Sequence, residues 1–393
     1  MPSPSSCKAP LADQPPPSFG IYVHWPFCAA KCPYCDFNSH VSAGIDHDAW
    51  RAAYRAEIAR LATELPDRVV STIFFGGGTP SLMEPATVAQ VIDDIRAGWR
   101  TTNDLEITLE ANPTSVEKAR FQDLRAAGVN RVSLGLQALD DDDLKRLGRL
   151  HSVDEGLAAL DTALTVFGRA SFDLIYARQD QSPETWEREL RRALSFGTSH
   201  LSLYQLTIEP GTAFGARHAA GGLSGLPDQD RAADMFDITQ SLTETAGLPA
   251  YETSNHARPG EESRHNMIYW TGGDYAGIGP GAHGRLTIGG QRFATETRRA
   301  PGAWLEDVRS GSGETPRALL SKEEEILEAF VMGLRLRDGI SADRLQSYPI
   351  EAEIYKKINK LAEDGWLERD QTALRLTPKG RPLLDAILRE IFA

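Results

Sequence analysis

Cysteine is scarce in this sequence: four residues in 393. A disulfide framework needs more thiols than that in a chain of this length, so the cysteines read as reduced groups kept for metal or redox chemistry. Long apolar runs are missing too, which excludes a membrane-spanning helix. Positive charge is in deficit, with 42 Lys and Arg against 55 Asp and Glu and a formal net charge of −13. Nucleic acid and anionic membrane surfaces favour a basic patch, so neither is an expected partner. The opening stretch "MPSPSSCKAPLADQPPPS" has neither an apolar core nor a cleavage site and does not read as a secretory signal. Its Pro and Ser content predicts a disordered tail over residues 1–18 of a cytoplasmic protein, with Cys7 an unpaired bystander within it.

The other three cysteines stand together. "IYVHWPFCAAKCPYCDFNSH" places Cys28, Cys32 and Cys35 in the spacing C-x3-C-x2-C. Thiolates so close can converge on one face of a loop. Structural zinc prefers four ligands, and no second Cys pair exists, although His24 or His40 could complete such a site. An iron–sulfur cluster usually takes four Cys thiolates, so three would leave one iron of a [4Fe–4S] cluster open to a non-protein ligand. The spacing alone leaves both metals open.

From Ile21 onward, short apolar runs alternate with amphipathic stretches. Strands are expected at Ile21–Trp25, Ser71–Phe75, Leu105–Leu109, Arg131–Leu136, Ser171–Tyr176 and Leu201–Leu206. Helices are expected between them, and such repetition means βαβ units and a parallel sheet with its site at the C-terminal strand ends. The predicted architecture is α/β, a partial (β/α)6 barrel over residues 19–250. An irregular segment over 251–320 follows, and then a C-terminal winged-helix-like α+β domain over 321–393. The winged-helix pattern often binds DNA, but Glu323, Glu324, Glu325, Glu351 and Glu353 favour a cap or docking module.

"FFGGGTPSL" follows the second expected strand, and its bare glycine backbone lets a ligand approach closely. A cysteine triad after the first strand with this glycine run after the second resembles the radical S-adenosylmethionine (SAM) family. The resemblance implies a [4Fe–4S] cluster on Cys28, Cys32 and Cys35, with SAM chelated at the open iron. Gly77, Gly78 and Thr79 match the stretch that contacts the SAM amino group. "YVHWPFC", "GGGTPS", "LEANP", "RVSLGLQ", "LGRLHS", "DLIY" and "GIGPGAHG" run in the order found in oxygen-independent coproporphyrinogen III oxidases and their relatives. That resemblance covers about Ile21 to Leu388 and implies a SAM pocket lined by Tyr22, Glu110, Gln137, Arg149 and Asp173. A buried Asp173 needs a partner, for which Arg149 is the natural candidate.

Two motifs separate carrier from oxidase. The oxidase continues its cysteine motif to a fourth cysteine, where this chain has Phe37. The form with Phe resembles the HemW family of heme chaperones, and "RHNMIYW" matches that family's H-N-x-x-Y-W motif. By that resemblance His265 offers an imidazole to heme iron while Tyr269 and Trp270 pack on the macrocycle. The implied partners are heme and heme-acceptor proteins, respiratory ones at the membrane among them, with a homodimer compatible. The alternative function is oxidative decarboxylation of coproporphyrinogen III to protoporphyrinogen IX. Where relatives commonly read "DLIYGLPGQ", this chain reads "DLIYARQDQ", which predicts added bulk and charge from Arg178 and Asp180 at the rim.

Overall fold

Six runs of alternating residues, each able to bury one face under a helix and turn the other inward, set the core. The computed structural model describes residues 18–42 and 44–393, except the side chains of residues 115–119. The tail expected over residues 1–18, Cys7 included, lies outside the described residues but for Ser18. The six runs form β1 (Phe19–Trp25), β2 (Val69–Gly77), β3 (Arg100–Ala111), β4 (Arg131–Gln137), β5 (Ala170–Tyr176) and β6 (His200–Gln205). Each pairs parallel with the next. The returns run through α1 (His47–Glu64), α2 (Pro85–Gly98), α3 (Ser115–Ala126), α4 (Val153–Phe167) and α5 (Pro183–Leu194).

The register separates the two faces. Ile21, Ile73 and Ile107 share one row, and Leu109, Val132, Leu134, Phe172 and Leu201 continue the outward face, all fully buried. Each such side chain contributes about 1.5–3 kcal/mol by leaving water. The inward residues are polar or aromatic instead: Tyr22, Phe74, Thr108, Glu110, Ser133, Asp173 and Ser202. A sheet with one apolar and one polar face is a barrel wall around a site.

The barrel does not close. After α6 (Gln229–Thr245), β7 (Asn255–Ala257) adds antiparallel to β6. Beyond the short α7 (Arg264–Trp270), β8 (Asp274–Ile278) pairs parallel with β1 on its free side. β9 (His283–Ile288), β10 (Gln291–Glu296) and β11 (Ala318–Leu319) extend that edge into an eleven-stranded sheet. The segment 251–320, expected to be irregular, contributes five short strands to this sheet, with α7 and a helix at Pro301–Arg309 between them. Its strands are short and carry charge: Asp274 is buried but paired with Arg68 (2.7 Å) and Arg292 (3.2 Å), which masks the strand pattern in the sequence. Gly289 and Gly290, both at positive φ, supply the hairpin turn between β9 and β10.

α7 plugs the barrel at its N-terminal end. The carboxylate of Glu106, fully buried, accepts from the backbone N–H groups of Arg264 (3.0 Å) and His265 (3.4 Å). It also pairs with Arg131 (3.4 Å) and Arg169 (3.1 Å). A carboxylate beneath the first helical turn satisfies otherwise orphaned donors and favours the dipole.

The C-terminal domain has its own core around Phe330, Ile340, Leu374 and Ile391. It comprises α8 (Lys322–Gly333), β12 (Ile340–Ser341), a short helix (Ala342–Gln346), α9 (Ala352–Glu363), the hairpin β13 (Leu367–Arg369) and β14 (Ala373–Leu376), and α10 (Leu384–Phe392). It docks on α7: the Arg335 guanidinium lies 4.9 Å from the Trp270 ring centroid, and Arg344 donates to the Trp270 carbonyl at 3.3 Å. Among the described residues no helix is long and apolar enough to cross a membrane.

Candidate functional site

The cysteine loop leaves the C-terminal end of β1 and folds over the barrel mouth. Cys28, Cys32 and Cys35 all line one cavity of about 510 Å³. The Cys35 N–H donates to the Cys32 carbonyl at 3.2 Å, which turns the loop back on itself. Two donors address the sulfurs: the Thr79 hydroxyl reaches Cys28 Sγ at 3.3 Å and Arg149 Nη1 reaches Cys32 Sγ at 3.5 Å. Burial pushes the Cys28 and Cys35 thiols above their ordinary pKa. Among the described residues no three His, Cys, Asp or Glu side chains converge closely enough to hold a single metal ion. Zinc completed by His24 does not fit either, because His24 is occupied: Nδ1 accepts from the Tyr22 hydroxyl (3.0 Å) and Nε2 donates to the Asn38 carbonyl (2.9 Å). His40 is engaged with Asn38 Oδ1 at 3.3 Å.

The glycine run packs directly beneath this loop. Gly78 N–H donates to the Trp25 carbonyl at 2.7 Å and Thr79 N–H to the Phe27 carbonyl at 2.8 Å. A Cβ on Gly77, whose φ is +111°, would fall 2.5 Å from the His24 ring, and one on Gly78 would fall 2.7 Å from the Phe27 carbonyl oxygen. The glycines are demanded by the chain's own close approach, and Gly77 and Gly78 face the cavity as a result.

Around the same cavity stand Thr79, Glu110, Gln137, Arg149 and Asp173. Gln137 is aimed by a break in the β4–β5 register and a positive φ of 72°. Desolvation first, and then the Asp173 charge, push the Glu110 carboxyl up to about 8, against one hydrogen bond from Gly77 N–H at 3.2 Å. Desolvation likewise raises Asp173 to about 6. The expected pairing of Arg149 with Asp173 is not formed. Arg149 Nη2 turns to Asn112 Oδ1 (2.5 Å) and the Gly135 carbonyl (2.8 Å), while Asp173 accepts from the Ser133 hydroxyl (3.2 Å). Among the described residues neither Glu110 nor Asp173, both lining the cavity, has an ion pair.

Residues 22–193 match the Radical SAM superfamily, and residues 320–383 match the HemN C-terminal domain. The chain is 37% identical to the heme chaperone HemW of Escherichia coli (strain K12) over 387 residues, covering 96% of this chain and 98% of that one. The chain belongs to the HemW family of radical SAM proteins. It is also 39% identical over 385 residues to the mitochondrial radical S-adenosyl methionine domain-containing protein 1 of Bos taurus, covering 95% and 87% of the two chains. In fold it is similar to the coproporphyrinogen III oxidase HemN of Escherichia coli, with a TM-score of 0.80 at 23% identity, covering 97% of this chain and 91% of that one.

Radical SAM membership implies a [4Fe–4S] cluster and SAM, and the residues present fit both. Three thiols line one cavity of about 510 Å³, the donor set that leaves one iron of a [4Fe–4S] cluster open to a non-protein ligand. Two carboxyls without ion pairs favour a cationic ligand, and SAM carries a sulfonium and an ammonium. Arg149 keeps a buried Nε–H without a partner, a donor that a ligand carboxylate would satisfy. Sequence reasoning passed over Asn112, inside the quoted "LEANP", and Ser133 and Gly135, inside "RVSLGLQ"; all three line the cavity. Tyr204 and Gln205 join them from the end of β6.

Four expected ligand contacts lie elsewhere. Tyr22, His265, Tyr269 and Trp270 do not line the cavity. His265 is fully buried inside the barrel, stacked on Phe74 at 5.1 Å. Its Nδ1 is bonded to the Thr72 hydroxyl (2.7 Å) and its Nε2 to the Tyr269 hydroxyl (2.5 Å), so neither nitrogen is free for an iron. Trp270 faces the C-terminal domain through Arg335. Arg178 also differs from expectation. It turns inward, 3% exposed, and pairs with Asp143 (2.8 Å) and Glu189 (2.6 Å), while Asp180 stays outside on Arg146 at 3.2 Å.

Proposed function

We propose that this chain is a heme chaperone that binds heme, holds a [4Fe–4S] cluster and SAM, and passes heme to acceptor proteins. Cys28, Cys32 and Cys35 hold the cluster, and Thr79 and Arg149 donate to two of the sulfurs. Glu110, Gln137, Arg149 and Asp173 orient SAM between the barrel strands. When bound, the cluster and SAM supply one-electron chemistry. The work is cytoplasmic, with respiratory proteins at the membrane among the acceptors and a homodimer as a compatible assembly.

The observation that carries the chaperone reading is residue 37. Phe37 lines the cavity mouth and is 60% exposed, an unusual position for a large aromatic ring. It supplies no thiol where the oxidase motif has a fourth cysteine, and it offers a flat apolar face to a macrocycle. Ligation by His265 belongs to this reading only if α7 leaves the barrel, since both ring nitrogens are engaged. Heme titration of Phe37→Ala tests the assignment. Affinity should fall about tenfold, the size of one lost aromatic contact, at unchanged iron content. Wild-type affinity in the variant would remove Phe37 from the heme site.

A further inference from the structure

Asn112 joins two side chains that reach the cysteine sulfurs. Its Nδ2 donates to Thr79 Oγ1 at 3.0 Å, and Thr79 Oγ1 in turn donates to Cys28 Sγ at 3.3 Å. Its Oδ1 accepts from Arg149 Nη2 at 2.5 Å, and the other arm of the same guanidinium donates to Cys32 Sγ at 3.5 Å. The direction of every bond in this chain is fixed by chemistry. A guanidinium only donates, so Asn112 must present its oxygen to Arg149 and its nitrogen to Thr79. With one Thr79 lone pair taken by that amide, the hydroxyl proton is turned towards Cys28.

The bridge joins three segments: Thr79 follows β2, Asn112 follows β3, and Arg149 follows the short helix Asp141–Arg146 that comes after β4. Thr79 is buried. Arg149 Nη2 is held by the Gly135 carbonyl at 2.8 Å, and glycine at 135 leaves it the space, since a Cβ there would fall 3.2 Å from Nη2. Donors aimed at ligand sulfurs stabilise the more negative, reduced state of a cluster and raise its potential.

We propose that Asn112 is a positioning residue that orients Thr79 and Arg149 towards Cys28 and Cys32 and so raises the reduction potential of the cluster those cysteines hold. This inference rests on the cluster reading above. An amide is required at this position. Aspartate has the same shape but only accepts, so it would take the Thr79 proton away from Cys28 and add a negative charge nearby.

The test is a redox titration of anaerobically reconstituted full-length protein, followed by the electron paramagnetic resonance signal of the reduced cluster. Wild type is compared with Asn112→Asp, Asn112→Ala and Thr79→Val, with iron and acid-labile sulfide counted in each. Asn112→Asp should lower the reduced-to-oxidised ratio at fixed potential about tenfold, which is 59 mV for a one-electron couple. Asn112→Ala should shift it less, because Thr79 and Arg149 keep their protons. Thr79→Val should shift it in the same direction, and combining it with Asn112→Asp should fall short of the sum. An unchanged ratio in Asn112→Asp at full iron content, or a larger shift for Ala than for Asp, would overturn the proposal. A wild-type protein that assembles no cluster would refute the cluster reading itself and the proposal with it.

Discussion

Replacing His265 with alanine separates a structural role from ligation. The ring is fully buried, stacked on Phe74, and bonded through both nitrogens to Thr72 and Tyr269. Truncating a large buried ring costs about 3–5 kcal/mol through lost contacts and cavity. Each hydroxyl left without its partner adds about 1–3 kcal/mol, although the site can relax and the contributions do not simply add. A loss of about 5 kcal/mol is therefore expected, a large fraction of the ~5–15 kcal/mol that stabilises a typical domain. Urea unfolding followed by circular dichroism measures it, and heme titration below the transition reads the other half. Heme affinity should stay within twofold of wild type. A stability loss under about 1 kcal/mol with heme binding abolished would refute the structural assignment and make His265 the ligand.

Acid should weaken the fold well before carboxylates protonate. Burial holds His265 and His256 down at about 3, so between that value and 6.5 the unfolded chain takes up protons the folded one refuses. Stability should fall as pH falls through that window, by about 1.4 kcal/mol per unit for each histidine; a flat profile from pH 6.5 to 5 in urea titrations would contradict this. Glu110 has the opposite sign: its folded pKa of about 8 lies above the ordinary 4.5, so its contribution falls as pH rises between the two. Glu110→Gln should stabilise the SAM-free protein at pH 8 by about 1–2 kcal/mol, discounted for water in the cavity, while weakening SAM binding by calorimetry. A destabilised variant would show that the carboxylate is better partnered than described. Arg178→Leu, which restores the residue common in relatives, should cost about 3–5 kcal/mol because Asp143 and Glu189 lose a buried partner; a neutral result in thermal unfolding would mean those carboxylates reach water.

Much of the barrel was legible because its strands and helices differ in period. β1, β2, β4, β5 and β6 lie within two residues of the apolar runs that announced them. β3 begins five residues early, at Arg100, because its first turns, "RTTND", are polar and half exposed. The strands of 255–319 stayed hidden for a related reason: they pair on an outer edge, and Asp274, Arg285 and Arg292 satisfy one another there or through Glu328. The cavity residues were found by motif, but their connections were not. Asn112 had no signal of its own, since its role depends on two strand ends meeting the loop that carries Arg149. The aromatic motif on α7 suggested a ligand site because His, Tyr and Trp suit a macrocycle equally well as they suit a plugged barrel. Ala177 and Asp180 hold positive φ of 58° and 60°, and Arg178 between them anchors the loop from inside.

The central claim is heme delivery rather than porphyrinogen oxidation, and one experiment addresses it. Anaerobically reconstituted protein is given dithionite, SAM and coproporphyrinogen III in one arm, and heme followed by a heme-free acceptor protein in the other. A Soret shift that saturates near one heme per chain and then moves to the acceptor, with no protoporphyrinogen IX formed, is the predicted result. Decarboxylated product accompanied by 5′-deoxyadenosine, with no saturable heme binding, would contradict the account and make this chain an oxidase.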